Sequence, residues 1–397
     1  MNAEQFACDV LGAGRLVVCV GCGGVGKTTL AASLALEAAR RGRRALVLSI
    51  DPARRLADAL GIHALDNAPR ELPRDALTEL GVPEQGSLSA VTLDMKRTFD
   101  NLVERFAESP EARERILENS IYQNVSEALS GSIEYSAMEK VYELWETGDH
   151  DLIVVDTPPA QHALDFLDAP QRLLEFLESR VVQMLIHPAF AASRFGFRIF
   201  QQGTRRVLQV LERVSGLSFL EDVSEFLLAF EGMSSGFRQR ANDVRELLLG
   251  PQSSFVLVTG PGRASLRQAL EFRKRLHGYG FDLSGVLANR IHRWPDGPAD
   301  APPPDLACEA DDVAALAAAL EETCGPRLAG LDAARAAVAA ATDYAALVHR
   351  DLQATGELRE TARAAGSFWA SIPEFPDEVH DLAGLGRIAA EIFGEAA

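Results

Sequence analysis

A glycine-rich loop near the N-terminus constrains the fold more than any other part of the sequence. Residues 21–28, GCGGVGKT, match the pattern G-x-x-x-x-G-K-[ST]. The loop follows an apolar, strand-like run at 15–20 and precedes a segment with a helical pattern from Leu30 to Arg41. This context suits phosphate binding, because loop N–H groups and the helix N-terminus can surround phosphate oxygens. The loop therefore predicts a nucleotide-binding α/β domain.

Short β-rich runs recur along the whole chain. They lie at residues 15–20, 45–50, 88–94, 151–156, 254–259, 284–289 and 367–372. Several are continuously apolar, which is typical of strands that are covered on both faces in a parallel sheet. Segments with a helical pattern separate them. The expected fold is a doubly wound α/β domain with a mostly parallel sheet.

Two long stretches do not fit simple helical crossovers, and we expect them to be helical insertions in one domain that spans residues 1–397. The first, 168–249, has apolar residues at helical spacing and a phenylalanine-rich segment at 190–200. The second, 293–365, opens with a proline-rich linker and continues as an alanine-rich helix pair broken at Gly325.

Composition excludes several classes of protein. The net charge of −18 argues against a broad nucleic-acid-binding face, which would need to be cationic. No apolar run approaches the roughly 20 residues of a membrane-spanning helix, and the N-terminus does not resemble a secretory signal. The five cysteines form no C-x-x-C pair and no zinc-like spacing. We expect a cytoplasmic protein with reduced thiols and no integral membrane segment.

Three side chains have the chemistry of a Mg²⁺–nucleotide site. Lys27 is expected to neutralise the β- and γ-phosphates, and Thr28 to place its hydroxyl on Mg²⁺. Asp156 ends the apolar run at 151–156, where its carboxylate would hold Mg²⁺ through a water molecule.

Asp51 is a candidate catalytic residue. It directly follows the run at 45–50, and ligands of such sheets bind beyond the carboxyl ends of the strands. Its carboxylate could orient an attacking water molecule. The alternative is structural, since an aspartate followed by Pro52 also forms a good helix N-cap.

Five segments together identify a family. In order along the chain they are GCGGVGKTT, SIDPARRLADALG, LIVVDTPPAQHALDFL, VLANR and SIPEFPDEVHDLAGL. The sequence resembles the ArsA-type ATPases, which include arsenical-pump and tail-anchored-protein-targeting ATPases and belong to the dimerising phosphate-loop class with a deviant Walker A motif. It looks most similar to a bacterial subgroup of anion-transporting ATPases in which two paralogous chains work as a pair. The resemblance implies an ATPase that takes ATP and Mg²⁺.

The resemblance also assigns roles to individual positions. It implies that Asp51 activates water in switch I, that switch II begins at Asp156 and includes His162, and that Asn289 contacts adenine. An adenine loop at 373–379 includes Pro373 and Phe375. The implied phosphate loop consists of Gly23, Gly24, Val25, Gly26, Lys27, Thr28 and Thr29. Asn289 could instead be a turn residue, and the segment after Pro373 an ordinary exit loop.

The chain departs from the family pattern at several positions. Cys22 replaces a signature lysine that reaches the phosphates of the other subunit in the family, Arg55 replaces an asparagine, and Gln161 replaces a glycine. Zinc-binding and metalloid-binding cysteines of the family are missing. A thiol cannot supply the cross-subunit charge. We therefore favour a heterodimer with a lysine-bearing paralogue over a homodimer. The alternative is a substitute charge from Arg54 or Arg55.

Three functions remain open at this point. The first is an ATP-switched factor that handles a hydrophobic or membrane-protein client, with residues 173–237 as the candidate groove; those apolar positions could equally be the core of a helical subdomain. The second is an ATPase subunit that energises a membrane anion exporter. The third is a nucleotide-binding regulator with little hydrolysis.

Overall fold

The computed structural model describes most of the chain outside the first predicted insertion. The described residues are 1–50, 55–62, 65–107, 109–119, 122, 133–158, 175, 236, 239–295, 297–298, 300–306, 310–325 and 330–394. Asp51, Arg54, Gln161, His162 and most of the stretch 168–249 lie outside them.

One eight-stranded sheet organises the described residues. Its strands are β1 (Leu16–Gly21), β2 (Arg44–Ser49), β3 (Arg70–Glu71), β4 (Ser87–Thr92), β5 (Leu152–Asp156), β6 (Ser253–Thr259), β7 (Gly285–Ile291) and β8 (Phe368–Pro373). Their order across the sheet is β3-β4-β2-β5-β1-β6-β7-β8. Every neighbouring pair is parallel except β3 with β4, which is antiparallel.

Each of the seven β-rich runs in the sequence forms one parallel strand, so the predicted mostly parallel α/β fold is confirmed. The sequence does not predict β3, because two residues at the sheet edge carry no periodic pattern.

Helices cover both faces of this sheet. They are α1 (Ala3–Phe6), α2 (Lys27–Arg40), α3 (Arg55–Ala59), α4 (Arg74–Glu79), α5 (Met95–Phe106), α6 (Pro110–Glu118), α7 (Ile133–Thr147), α8 (Arg263–Gly278), α9 (Ala310–Cys324), α10 (Leu331–Ala364) and α11 (Leu382–Phe393). A π-helical turn, Ala7–Gly12, follows α1. Among the described helices, none combines the length and the apolar character that a membrane crossing requires.

The apolar core has two parts, one on each face of the sheet. Alternate side chains of a strand point to opposite faces. On β1, Val17 packs with apolar side chains of α2 and α11, whereas Val18 packs with those of α5, α7, α8 and α10. Strands buried on both faces need apolar residues at every position, which explains the continuous runs in the sequence.

The second predicted insertion contains α9 and α10. Gly325, with φ 76°, directly follows α9, at the position of the predicted break. The C-terminal half of α10 packs on the sheet through Leu358 and Ala362, and its N-terminal half pairs with α9. The division of the chain into one domain with two insertions stays a prediction.

Candidate functional site

A cleft of about 690 Å³ opens at the carboxyl edge of the sheet. One end, the glycine-loop end, is lined by Gly23, Gly24, Gly26, Lys27, Thr28, Thr29 and Asp156. The other end, the distal end, is lined by Asn289, Arg290, Pro373, Glu374, Phe375, Pro376, Asp377, Glu378, Val379 and His380. Strands β1, β5, β7 and β8 all end here, as expected for a ligand cleft in a doubly wound fold.

The loop between β1 and α2 has the conformation that its glycines permit. Gly24 has φ 76° and Gly26 has φ 92°, both in the left-handed region that favours glycine. A Cβ atom at Gly26 would lie 2.3 Å from Asn289 Nδ2, so no other residue fits there without displacing Asn289. The loop therefore brings its main chain close to the cleft and leads directly into α2.

Lys27 lies at the first position of α2 and is only 8% exposed. Its Nζ donates a hydrogen bond to the main-chain oxygen of Cys22 at 2.8 Å. A buried ammonium at a helix N-terminus, beside an open cleft, is a strong point charge for an anionic ligand.

Thr28 and Asp156 meet at the glycine-loop end although they are far apart in the sequence. Thr28 Oγ1 donates to Asp156 Oδ2 at 2.6 Å. Ser49 Oγ donates to the same oxygen at 3.1 Å, from the last residue of the neighbouring strand β2. Asp156 is 1% exposed. The sequence does not identify Ser49 as a site residue. Its position at the end of the strand just before Asp51 is the feature that could have done so.

The side chain of Cys22 faces α8, away from the cleft wall. Its Sγ donates to Gln268 Oε1 at 2.9 Å and lies 3.6 Å from the main-chain oxygen of Ser265. Cys22 is 7% exposed, and this burial raises the pKa of its thiol. The thiol is therefore neutral near pH 7, and it adds no charge to the glycine-loop end.

Asn289 joins the distal end to the glycine loop. Its Nδ2 donates to the main-chain oxygen of Val25 at 2.9 Å, and its side chain is buried. The predicted adenine-contacting residue thus also holds β7 against the loop, a role that the sequence does not reveal. Contact between Asn289 and adenine stays a prediction.

Arg290 is the one non-glycine residue with positive φ in the described part of the chain, at φ 59°. The pairing of β7 with β8 shifts register between Ala288 and Ile291, and Arg290 is exposed on the cleft wall. The sequence does not predict this residue as part of the site, because a left-handed arginine leaves no local signal.

The segment after β8 forms the remaining wall of the distal end. Pro373 and Phe375 both line the cleft, and their contact with adenine stays a prediction. The guanidinium of Arg387, on α11, lies over the Phe375 ring, 5.5 Å from its centroid. The distal end is thus mainly a side-chain surface, with an aromatic ring and the carboxylates of Glu374, Asp377 and Glu378.

Arg55 and Asp58, on α3, also line the cleft. They are the described part of the segment in which the candidate catalytic residue Asp51 and the alternative cation Arg54 lie. Arg55 therefore lies beside the cleft, and its role as a substitute for the signature lysine stays a prediction. The position of Asp51 lies outside the described residues.

Comparison with known proteins agrees with this geometry. The chain matches a family model described as "Anion-transporting ATPase" over residues 14–301. It is similar to "ATPase GET3" of Malassezia globosa, at 25% identity over 298 residues, 74% of this chain and 76% of the relative. It is also similar to "ATPase get3" of Schizosaccharomyces japonicus, at 24% identity over 277 residues, 70% of this chain and 74% of the relative.

A third relative is "Putative arsenical pump-driving ATPase 1" of Aquifex aeolicus, at 24% identity over 281 residues, 70% of this chain and 63% of the relative. The family model covers well over half of the chain and includes the glycine loop, Asp156 and Asn289. With a glycine loop, a buried lysine and a threonine–aspartate pair at one end of the cleft, this chain belongs to the anion-transporting ATPase family and is an ATPase.

Proposed function

We propose that the chain binds Mg²⁺–ATP in this cleft, with the triphosphate at the glycine-loop end and the adenine at the distal end, and hydrolyses it as a conformational switch. The observation that carries the proposal is the meeting of Lys27, Thr28 and Asp156 around the glycine loop. The cleft volume of about 690 Å³ is in the range of small-molecule sites.

Lys27 is the main phosphate ligand in this proposal. Its ammonium would exchange the main-chain oxygen of Cys22, 2.8 Å away, for the β- and γ-phosphate oxygens. Loop N–H groups would hold the remaining phosphate oxygens. Asn289 would keep the loop in register with β7 while the ligand binds.

The residues at the glycine-loop end fit Mg²⁺. Mg²⁺ prefers oxygen ligands and in nucleotide sites is bound through one or two protein groups plus phosphates. The Thr28 hydroxyl and the buried Asp156 carboxylate, 2.6 Å apart, are such oxygens, and Ser49 orients the carboxylate. Thr28 would hold the ion directly and Asp156 through water. The ion would supply positive charge that offsets the charge of the triphosphate.

Hydrolysis needs a group that orients water, and we assign this role to Asp51. It follows Ile50 at the carboxyl end of β2, next to β5 with its terminal Asp156. The main-chain N–H of Ile50 donates to the Asp156 carbonyl at 3.1 Å, so the chain enters the Asp51 segment beside the candidate Mg²⁺ site. A carboxylate there can accept a proton from an attacking water molecule.

ATP binding can be tested with the purified full chain by titration of a fluorescent ATP analogue in the presence of Mg²⁺. Lys27→Ala is expected to raise the dissociation constant by about 30-fold or more, because a charge-assisted contact is lost. Lys96→Ala is the matched control, since Lys96 is exposed and pairs with Asp100 at 2.9 Å. Unchanged affinity in Lys27→Ala would show that ATP does not bind at the glycine-loop end.

The chain is proposed to act as a dimer, preferably with a paralogue that carries the signature lysine. Two observations support this: the Cys22 thiol is neutral and packs on Gln268, and the cleft retains Lys27, Thr28 and Asp156 for its own nucleotide. A homodimer would lack the cross-subunit charge at both sites. In a heterodimer the paralogue's lysine would serve this chain's ATP, as an arginine finger does.

The pairing hypothesis is tested by measuring phosphate release from the chain alone and with such a paralogue. Acceleration by the paralogue, lost when its signature lysine is mutated and retained in Cys22→Ala of this chain, supports pairing. The rival is a charge in cis from Arg55, which lines the cleft, or from Arg54. Full hydrolysis by the isolated chain that Arg55→Ala abolishes would favour Arg55 and refute pairing.

The nucleotide state is proposed to control a hydrophobic or membrane-protein client in the cytoplasm, through residues 173–237. Nearly all of these residues lie outside the described part of the structure, so the support is the family resemblance alone. Binding of a transmembrane-segment peptide should differ with and without ATP, and equal binding would refute client handling.

A second candidate, favoured by the family description and the pump-driving relative, is an ATPase subunit of a membrane anion exporter. Negligible hydrolysis alone and in every assembly would indicate a regulator instead.

A further inference from the structure

The long helix α10 holds the chain just beyond β7, next to the distal end of the cleft. Asp351 Oδ2 accepts two hydrogen bonds from His292, from the main-chain N–H at 3.0 Å and from ring Nδ1 at 2.7 Å. The Tyr344 hydroxyl, two turns earlier on α10, donates to the main-chain oxygen of Arg293 at 2.9 Å. Two successive residues after β7 are therefore attached to one face of α10.

Asp351 is a rigid anchor for these contacts. It is 0% exposed, and its other oxygen, Oδ1, accepts from Arg350 Nε at 3.0 Å and from Arg350 Nη2 at 2.9 Å. A buried carboxylate needs its hydrogen-bond donors, because an unsatisfied one costs the full desolvation penalty. The pair of His292 with Asp351 is thus a strong link between β7 and α10.

The opposite side of the His292 ring faces the distal end. Its Nε2 lies 3.5 Å from Glu374 Oε2, and the main-chain N–H of Glu374 donates to the Ile291 carbonyl at 3.3 Å. Glu374 lines the cleft between Pro373 and Phe375. His292 therefore lies between the buried anchor on α10 and the loop that forms the cleft wall.

Arg290, two residues before His292, is in an unfavourable conformation. Arg290 has φ 59°, in a region that residues other than glycine rarely adopt. The pairing of β7 with β8 shifts register at the same place. Such conformations persist where the surrounding structure determines them. The two bonds to Asp351 and the bond from Tyr344 supply that restraint immediately after Arg290.

We propose that His292 is a positioning residue for the nucleoside part of the ligand: anchored by Asp351, it sets the positions of Arg290 and Glu374 and so the shape of the distal end. This inference rests on the proposed binding of ATP in the cleft. It makes the long helix α10 part of the machinery that shapes the nucleotide site. It also predicts that loss of the anchor weakens binding of the nucleoside and leaves binding of the phosphates intact.

The test compares ATP with inorganic tripolyphosphate, which fills only the glycine-loop end, by calorimetric titration of the full chain with Mg²⁺. His292→Ala is expected to raise the dissociation constant of ATP about fivefold and that of tripolyphosphate by less than about twofold. His292→Asn keeps a donor near the place of Nδ1 and is expected to bring ATP affinity back to within about twofold of the wild type.

His277→Ala is the matched control, because His277 is exposed, pairs with Asp282 at 3.1 Å and lies off the cleft wall. Hydrogen exchange supplies a local readout. Residues 373–379 should exchange faster in His292→Ala than in the wild type or in His292→Asn, whereas a general loss of stability would accelerate exchange throughout the sheet.

Equal weakening of both ligands, unchanged ATP affinity in folded His292→Ala, or no recovery in His292→Asn would overturn the inference and leave the proposed ATP site standing. If His292→Ala does not fold, Tyr344→Phe deletes only the second attachment and should weaken ATP about twofold with tripolyphosphate unchanged; an unaltered ratio would overturn the inference. A wild-type chain that binds tripolyphosphate but not ATP would overturn both the proposed function and this inference.

Discussion

The two ends of the cleft are built in different ways. Most of the glycine-loop end comes from one continuous segment, residues 23–29, which Asp156 joins from a distant strand. The distal end is assembled from the end of β7 and the segment after β8, which are about 80 residues apart and are joined through α9 and α10. In the proposed binding mode, the phosphates lie at a local sequence motif, whereas the shape of the distal end depends on how several elements pack.

The two ends of the cleft also differ in the chemical groups that they present. At the glycine-loop end, phosphates would be recognised by main-chain N–H groups, a helix N-terminus and one lysine, all of which follow from local conformation. The distal end offers an aromatic ring and an amide, each held by a neighbour in another element, and an arginine in a left-handed conformation. Substitutions at the two ends should therefore have separable effects on binding and hydrolysis.

The largest effect is expected at the glycine-loop end from Asp156→Asn. Loss of this carboxylate should lower kcat for Mg²⁺-dependent hydrolysis by about 10²- to 10³-fold, because charge stabilisation near the phosphates is lost. Phosphate release at several Mg²⁺ concentrations measures it. Asp9→Asn, at an exposed position, is the control. Full activity in Asp156→Asn would remove Asp156 from the proposed Mg²⁺ site.

The next effect is expected from Asp51→Asn, which should lower hydrolysis by about 10²-fold while ATP affinity stays nearly constant. Single-turnover hydrolysis and nucleotide titration on the same preparation separate the two quantities. A parallel loss of ATP binding would instead assign Asp51 to Mg²⁺ or to the cap of the following helix.

At the distal end, Phe375→Ala should weaken ATP about tenfold and leave tripolyphosphate affinity unchanged, because stacking on a base contributes about 1–3 kcal/mol. Calorimetric titration of both ligands measures the ratio. Phe281→Ala provides a comparison, since Phe281 packs on Phe255 with ring centroids 5.6 Å apart and does not line the cleft. Equal weakening of both ligands would mean that the two ends are not separable.

The smallest effect is expected at Gln268, which contacts the glycine loop from outside the cleft. Gln268→Leu removes the acceptor of the Cys22 thiol, 2.9 Å away, and should lower the free energy of unfolding by about 1 kcal/mol. ATP affinity should stay within about twofold. Denaturant unfolding and nucleotide titration measure the two quantities.

Gln239→Leu is the control for this last prediction, since Gln239 is exposed and donates to Asp243 at 2.8 Å. A tenfold loss of hydrolysis in Gln268→Leu, with ATP affinity unchanged, would show that the thiol contact acts on catalysis as well as on packing.

Much of the fold could be predicted because its signals are local. The continuously apolar runs that became β1, β2 and β5 reflect strands buried on both faces. The pattern around Lys27 and Thr28 requires a strand before it and a helix after it, and both are present. The pairing of Thr28 with Asp156 could be anticipated only because neighbouring parallel strands end at the same edge.

Other parts of the site could not be predicted, since they depend on contacts between distant residues. The spacing of Asn289 and Val25 in the sequence does not indicate that the amide of one holds the carbonyl of the other. Arg290 adopts a left-handed conformation that arginine disfavours, so backbone propensity would predict a different conformation at this position. The contact of Cys22 with Gln268 joins residues 246 positions apart.

The sequence by itself determined the α/β class, the parallel strands and the phosphate loop, because hydrophobic periodicity and backbone freedom at glycine act within a few residues. Tertiary structure alone decided where the neutral thiol of Cys22 points, how Ser49 supports Asp156, and how α10 holds the chain after Arg290. Each of these depends on desolvation and hydrogen bonding between elements that meet only when the sheet is assembled, and no local pattern encodes such a meeting.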